Sequence, residues 1–294
     1  MRRILITGSN KGIGLATVKN LLHSYKETFV LMCSRDLKKG EEAFDSLIRK
    51  QPDWKNRLDL VKLDVESDKS VSDAALEIAK KFNGESSPLY SIVNNAGIAD
   101  PALGLNKIIQ VNTYGTKRVC DEFLKLIDPK MGRVVNVTSA SGPSYLASSN
   151  QDIKKLLTNP NVKWKEIDNL LKEYKKRSLE LDKDNFENSI IGNAYGFSKA
   201  CTNAYTICLA REYPKLTVNS CTPGFIETDM TRPMAKANGK TPAEMGMKTP
   251  DQGSSVSIFL LMGNPLGSGH YYGSDCKRSP LDRYRSPGDP PFTD

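Results

Sequence analysis

Residues 3–14 read Arg3-Ile4-Leu5-Ile6-Thr7-Gly8-Ser9-Asn10-Lys11-Gly12-Ile13-Gly14. A short, apolar, β-rich run leads into a turn carrying three glycines, and a helical pattern follows through about Tyr25. Strand, glycine-rich turn and helix in this order build a phosphate cradle. The glycines allow a tight turn and close backbone approach, and the helix start offers N–H groups and the positive end of its dipole. Without that context the glycines would mark an ordinary loop; with it, they meet what a dinucleotide site demands. Gly8, Asn10, Lys11, Gly12, Ile13 and Gly14 are therefore candidate cofactor contacts.

Further strands alternate with helical patterns along the chain. Thr28–Cys33 reads as the second strand, followed by Ser34-Arg35-Asp36. An acid here would hold a ribose 2′-OH, whereas an arginine suits a 2′-phosphate. Arg35 comes first and Lys11 can reach the same place, which favours NADP; Asp36 reads as the N-cap of a helix from Leu37 to about Lys50. Leu58–Leu63 is the third strand and ends in Asp64-Val65, an acid that either faces a ligand or caps its own loop. After a helical pattern over Asp68–Phe82, the fourth strand, Leu89–Val93, runs into Asn94-Asn95-Ala96-Gly97. Leu105–Ile127 reads as one long helix containing Asn112, a poor helix former. The fifth strand, Gly132–Val137, ends in Thr138-Ser139-Ala140-Ser141-Gly142, which sets hydroxyls on the edge where open α/β sheets bind ligands.

Residues 143–194 are polar and charge-mixed, with helical patterning at Ile153–Leu157 and Lys163–Leu179, and read as a helical insertion. The next helix, Asn193 to about Tyr213, carries Tyr195-Gly196-Phe197-Ser198-Lys199. Positions i and i+4 share a face, and a nearby ammonium favours phenolate, so Lys199 is expected to lower the Tyr195 pKa. A sixth strand, Leu216–Cys221, leads into Thr222-Pro223-Gly224-Phe225-Ile226-Glu227-Thr228. The stretch 225–249 reads as a mobile flap, followed by a helix at Pro250–Met262 and a last strand at Gly269–Tyr272. The tail 279–294, with Pro and Gly throughout, reads as extended or partly disordered. The expected fold is an α/β, doubly wound (Rossmann) parallel sheet, one domain over residues 1–278 with the insertion, the flap and the tail attached.

Composition narrows the function classes. The net charge of +8 comes from 42 Lys+Arg against 34 Asp+Glu, and the signs alternate along the chain without a basic, aromatic-laced run. Nucleic-acid binding is not expected. No run approaches the ~18 apolar residues of a membrane span. The first strand starts almost at once, leaving no room for a leader, and the six cysteines and two histidines are scattered without metal-site spacing. The expectation is a cytosolic protein with reduced thiols, no metal and no membrane partner.

Taken together, Thr7-Gly8-x-x-x-Gly12-x-Gly14, Asn94-Asn95-Ala96-Gly97, Asn112, Ser139, Tyr195-x-x-x-Lys199 and Pro223-Gly224 give the chain a strong resemblance to the short-chain dehydrogenase/reductases, over roughly residues 3–275. Between Ser139 and Tyr195 lie 55 residues, where ordinary members have far fewer. That gap resembles the carbonyl reductase branch and its salutaridine- and menthone-reductase-like relatives, where a helical insertion covers the surface used for oligomerisation. The resemblance therefore implies a monomer that reduces a small-molecule carbonyl compound with NADPH. It implies Tyr195 as proton donor, Ser139 as polariser of the carbonyl oxygen, Lys199 as ribose contact and Asn112 as holder of a relay water. It places Arg35, Asp64, Val65, Asn94, Ala96, Gly97, Pro223, Gly224, Ile226 and Thr228 with the glycine turn around the cofactor. Ser139, Ser141, Tyr195 and Phe225 would face the substrate; Phe225 departs from the tryptophan of some members. An NADP-dependent dehydrogenase for a dedicated steroid- or terpenoid-like alcohol, and a catalytically silent NADP(H) sensor, remain alternatives. A pure sensor would need none of Asn112, Ser139, Tyr195 and Lys199.

Overall fold

The computed structural model describes residues 1–83, 85–180 and 193–293. Its centre is one sheet of eight strands in the order β3-β2-β1-β4-β5-β6-β7-β8. The strands are β1 (Arg2–Ile6), β2 (Thr28–Ser34), β3 (Leu58–Lys62), β4 (Ser91–Asn94), β5 (Arg133–Val137), β6 (Thr217–Cys221), β7 (Tyr271–Tyr272) and β8 (Arg278–Ser279). The first seven run parallel, and β8 pairs antiparallel with β7. Ile4, Ile6, Val30 and Met32 pack into one core and Leu5, Leu31 and Cys33 into another, so both sheet faces are covered. This is the burial a parallel sheet requires, and it explains why these strands read as continuous apolar runs.

One face carries α1 (Gly12–Ser24), α2 (Leu37–Lys50) and the penultimate segment's helix, Pro250–Met262. The other carries α3 (Asp68–Lys81), α4 (Gly104–Ile109), α5 (Gly115–Phe123) and the helices after β5. These are α6 (Ser141–Ser148), α7 (Gln151–Thr158), α8 (Trp164–Glu180) and α9 (Ala194–Glu212); α10 (Arg232–Ala237) and α11 (Pro250–Met262) complete the set. Asp36 caps α2 by accepting from Lys39 N at 3.2 Å, as its position suggested. The segment 143–194 contributes most of α6, all of α7 and all of α8; its last part, 181–192, lies outside the described residues.

Two expectations are corrected. The long helix over Leu105–Ile127 is broken: Gln110–Tyr114 forms a π-helical turn between α4 and α5. The wider turn swings the Asn112 carbonyl out of the ladder, where the Thr116 and Thr202 hydroxyls each donate to it at 3.0 Å. Periodicity cannot show this, because the replacement hydrogen bond comes from α9. The tail is also folded. The expected boundary at residue 278 falls inside β8, and the chain beyond it is pinned by Arg285. That guanidinium binds Asp275, donates to Ser279 Oγ at 2.9 Å and caps the Asp289 carbonyl at 2.8 Å. Only 6% of its side chain is exposed.

Candidate active site

The strand order reverses direction between β1 and β4, and the C-terminal ends of both open on the same edge. Ligands of doubly wound sheets bind in that crevice. The glycine turn is built for close approach. Gly8 has φ +60° and Gly12 φ +57°, a left-handed backbone that side chains resist. A Cβ on Gly8 would meet Ala96 Cα at 2.9 Å, and one on Gly14 would meet Asn95 Nδ2 at 2.5 Å and Gly8 O at 2.7 Å. Asn95 Nδ2 donates to Thr7 O and Gly8 O, both at 3.0 Å, and Thr7 Oγ1 accepts from the Asn95 and Ala96 N–H groups. Thr7 and Asn95 thus clamp the β1 turn to the end of β4. Asn95 lies within the Asn94–Gly97 motif yet outside the expected contact set, and its signal is the paired amides themselves.

Asn10, Lys11 and Ile13 lie in or beside this turn, at the start of α1. The N-terminus of α1 has no side-chain cap, whereas α2 and α3 are capped by Asp36 and Ser67. Its first-turn N–H groups remain available to an anion. Arg35 directly follows β2 and is 65% exposed, with Glu66 at 4.0 Å as its ion-pair partner among the described residues. Lys11 instead crosses the cleft to Asp229 at 2.7 Å, and Asp229 also binds Arg232. Asp64 accepts from Glu66 N at 3.0 Å and so caps its own loop. Val65 is buried, against the position a Cβ on Gly115 would take. The Asn94 side chain turns away from the cleft: it donates to Asn136 Oδ1 at 2.9 Å and Cys120 Sγ at 3.3 Å, tying β4 to β5. Its side-chain amide therefore serves the sheet, and its backbone ends β4 at the ligand edge.

Asn112, Ser139, Tyr195 and Lys199 converge on the ends of β4 and β5. Asn112 is buried; its amide accepts from Ile98 N and donates to Ile98 O, each at 2.9 Å, and donates to Ser198 Oγ at 3.0 Å. Ser198 in turn donates to Tyr195 O at 2.8 Å, so the π-turn sets the first turn of α9. The Lys199 ammonium is buried, donates to Val137 O at 3.0 Å and stands 5.6 Å from the centre of the Tyr195 ring. A Cβ on Gly97 would lie 3.3 Å from both Asn112 Oδ1 and Lys199 Nζ, so the two groups flank one small space. Burial lowers the Lys199 pKa to about 8. Burial also raises the Tyr195 phenol, and the Ser139 hydrogen bond only partly offsets it. The expected lowering of Tyr195 by Lys199 is therefore not what this geometry produces: at this separation desolvation of the phenol wins.

Ser139 Oγ accepts from Ser141 N at 3.1 Å and lies 3.2 Å from Ser141 Oγ. Both serines line a cleft of about 330 Å³ with Phe225, Gly224 and Lys248. Gly224, at φ +92°, lets the chain pass Ser274, which a Cβ would approach to 3.2 Å. Pro223 precedes this turn. Ile226 is buried, its carbonyl accepting from Thr231 Oγ1, and Thr228 Cγ2 stands 3.5 Å from the position of a Cβ on Gly12. Arg283, Tyr284 and Arg285 of the tail also line this cleft, and no local sequence signal marks them.

A sequence profile of the short chain dehydrogenase family matches residues 2–171. The chain is 29% identical over 279 residues to carbonyl reductase [NADPH] 1 of Macaca fascicularis, covering 89% of this chain and 91% of that one. To the Sus scrofa protein of the same name it is 30% identical over 278 residues, covering 89% and 87%. The solved structure of salutaridine reductase from Papaver somniferum superposes with a TM-score of 0.74 at 26% identity, over 92% of this chain and 99% of that one. With the profile spanning more than half of the chain and the glycine turn, the paired amides and the Tyr–Lys helix meeting at one sheet edge, this protein belongs to the short-chain dehydrogenase/reductase family.

Proposed function

We infer that the protein is an NADPH-dependent carbonyl reductase that converts a ketone, aldehyde or quinone to the alcohol. The convergence of Ser139, Tyr195, Lys199 and Asn112 beside the glycine cradle carries this reading, and relatives named carbonyl reductase [NADPH] support it. The cradle fits a dinucleotide: α1 keeps its N–H groups uncapped, and Gly8, Gly12 and Gly14 leave no side chain between backbone and ligand. Bound there, NADPH supplies the hydride. Arg35 is the cation for a 2′-phosphate, and the Lys199 ammonium is placed for a ribose hydroxyl.

Tyr195 is the proton donor. Its phenol stays protonated at neutral pH because burial holds its pKa up, so it is ready to give a proton to a developing alkoxide. Ser139 donates to the same oxygen and polarises the carbonyl. The space flanked by Asn112 Oδ1 and Lys199 Nζ is where a relay water would re-protonate the tyrosine. Ser141 and Phe225 shape the substrate side, and Ile226 and Thr228 the nicotinamide side. No helix among the described residues is long and apolar enough to cross a membrane, which is compatible with a cytoplasmic protein. Three helices over 141–180 cover the surface beside α9, which favours a monomer.

The test follows NADPH and NADH oxidation against ketones, aldehydes and quinones, with Tyr195→Phe as the control. Turnover with NADPH should fall by about 10²–10⁴-fold in the mutant, with NADPH binding kept within a few-fold. A mutant with near-normal turnover would remove Tyr195 as the proton donor.

A further inference from the structure

The described lining of the substrate cleft is cationic. Among the described lining residues are Lys248, Arg283 and Arg285, and no Asp or Glu. These three cations are not equivalent. Arg285 is spent: Asp275 neutralises it, Ser279 Oγ accepts from its Nε and the Ser286 and Asp289 carbonyls from its Nη1. Arg283 pairs with its neighbour Asp282 at 3.1 Å, with 60% and 39% of the two side chains exposed. A pair so open to water contributes little and is easily exchanged. Lys248 has no ion pair among the described residues, yet its backbone is fixed. Lys248 N donates to Phe225 O and Glu227 N donates to Lys248 O, both at 2.8 Å.

The same cleft is lined by Phe225, 37% exposed, by Tyr284, 55% exposed, and by Ser139. Large aromatic surfaces left open at a cleft wall suit a planar apolar body, and unbalanced cations in a concave site draw an anion. Rested on the reductase reading above, this arrangement deepens it. We propose that the preferred substrates are aryl or alkyl keto acids: the carbonyl sits at Ser139, the apolar body lies between Phe225 and Tyr284, and the carboxylate is recognised by Lys248 and Arg283. The volume of about 330 Å³ admits a molecule of this size but not a large polycycle.

The experiment compares ω-benzoylalkanoates with two to four methylene groups against their methyl esters, reading kcat/KM with NADPH at low and high salt. The same aryl ketone is offered in each pair, so the ratio of acid to ester isolates the carboxylate. The expected result is a ratio of at least five for the best-fitting chain length. It should shrink at high salt, fall to about one in the Lys248→Gln/Arg283→Gln double variant, and drop below one in Lys248→Glu. Thermal unfolding verifies that these variants at exposed positions fold. A ratio near one throughout in the wild type, or one unmoved by the variants, overturns the keto-acid assignment and leaves the reductase reading standing. No NADPH oxidation with any acid, ester, simple ketone, aldehyde or quinone overturns both.

Discussion

In the turn between β1 and α1, a Cβ on Gly14 would collide with Asn95 Nδ2, Gly8 O and Ser9 Cα, all within 2.8 Å. In the 225–249 segment across the cleft, a Cβ on Gly239 or Gly246 would meet nothing within 4 Å. The cofactor wall is close-packed backbone, where Gly8 and Gly14 each answer a neighbour. The 225–249 segment is open, and its two glycines answer only turns, at φ +64° and +72°. One side is determined by sterics, which forbid change. The other is held by ion pairs and hydrogen bonds: Lys11–Asp229, Arg232–Glu227 and the Arg285–Asp275 pin. A wall of this kind can be rebuilt for a new substrate without touching the chemistry.

The largest effect is expected at the mostly buried Arg285–Asp275 pair of the substrate wall. Arg285→Gln leaves Asp275 unpaired, and breaking a buried pair costs about 3–5 kcal/mol. The loss should fall on tail closure: faster proteolysis beyond residue 278 and a raised KM for the carbonyl substrate, with NADPH affinity little altered. Global unfolding without a preceding tail cleavage would contradict this separation of the two walls. Burial alone would raise the Asp275 carboxyl, but the Arg285 hydrogen bond and the Gly288 N–H hold it below the usual carboxylate value. Its folded pKa being depressed, tail closure is fully supported above pH ~4 and weakens as pH falls further.

Next in size is Gly14→Ala. Backbone cannot retreat cheaply from the new methyl, so a stability loss of about 1–3 kcal/mol is expected, with NADPH affinity lowered at least several-fold. Gly246→Ala is the matched control and should cost only the left-handed backbone penalty, about 1–2 kcal/mol, with NADPH affinity intact. Denaturant titration and NADPH fluorescence read both. Equal losses of NADPH affinity would erase the distinction drawn here.

The smallest effect is a pH dependence. With Lys199 lowered to about 8 by burial, the free protein carries its ammonium below that pH and loses it above. Tyr195, held above its ordinary range, does not titrate in the same window. Because kcat/KM for NADPH reports the free enzyme, it should decline as pH rises through about 8. A flat profile from pH 7 to 9.5 would mean that the Lys199 charge does not hold the cofactor.

Local patterns carried the cofactor half. The apolar runs of β1, β2 and β5, the glycine turn and the Tyr195–Lys199 spacing are each legible because sterics and periodicity act within a dozen residues. They also place Ser139 on the ligand edge, since the end of a parallel strand is set by its own sequence. What the chain order could not show are features made by partners far apart. The π-turn at Asn112 depends in part on the Thr202 hydroxyl of α9, ~90 residues on, which donates to the carbonyl it releases. That the Asn94 side chain serves Asn136 on the neighbouring strand is likewise set by a distant partner. The tail reads as extended or partly disordered because Pro and Gly run through it, yet the Arg285–Asp275 pair and the β7–β8 pairing fold it onto the cleft. The sequence by itself determined the fold and the place of the candidate site residues at the sheet edge, since both follow from short-range backbone geometry. Only the tertiary structure decided the titration of Tyr195 and Lys199 and the wall that faces the substrate, because desolvation and ion pairing depend on what the rest of the chain brings near.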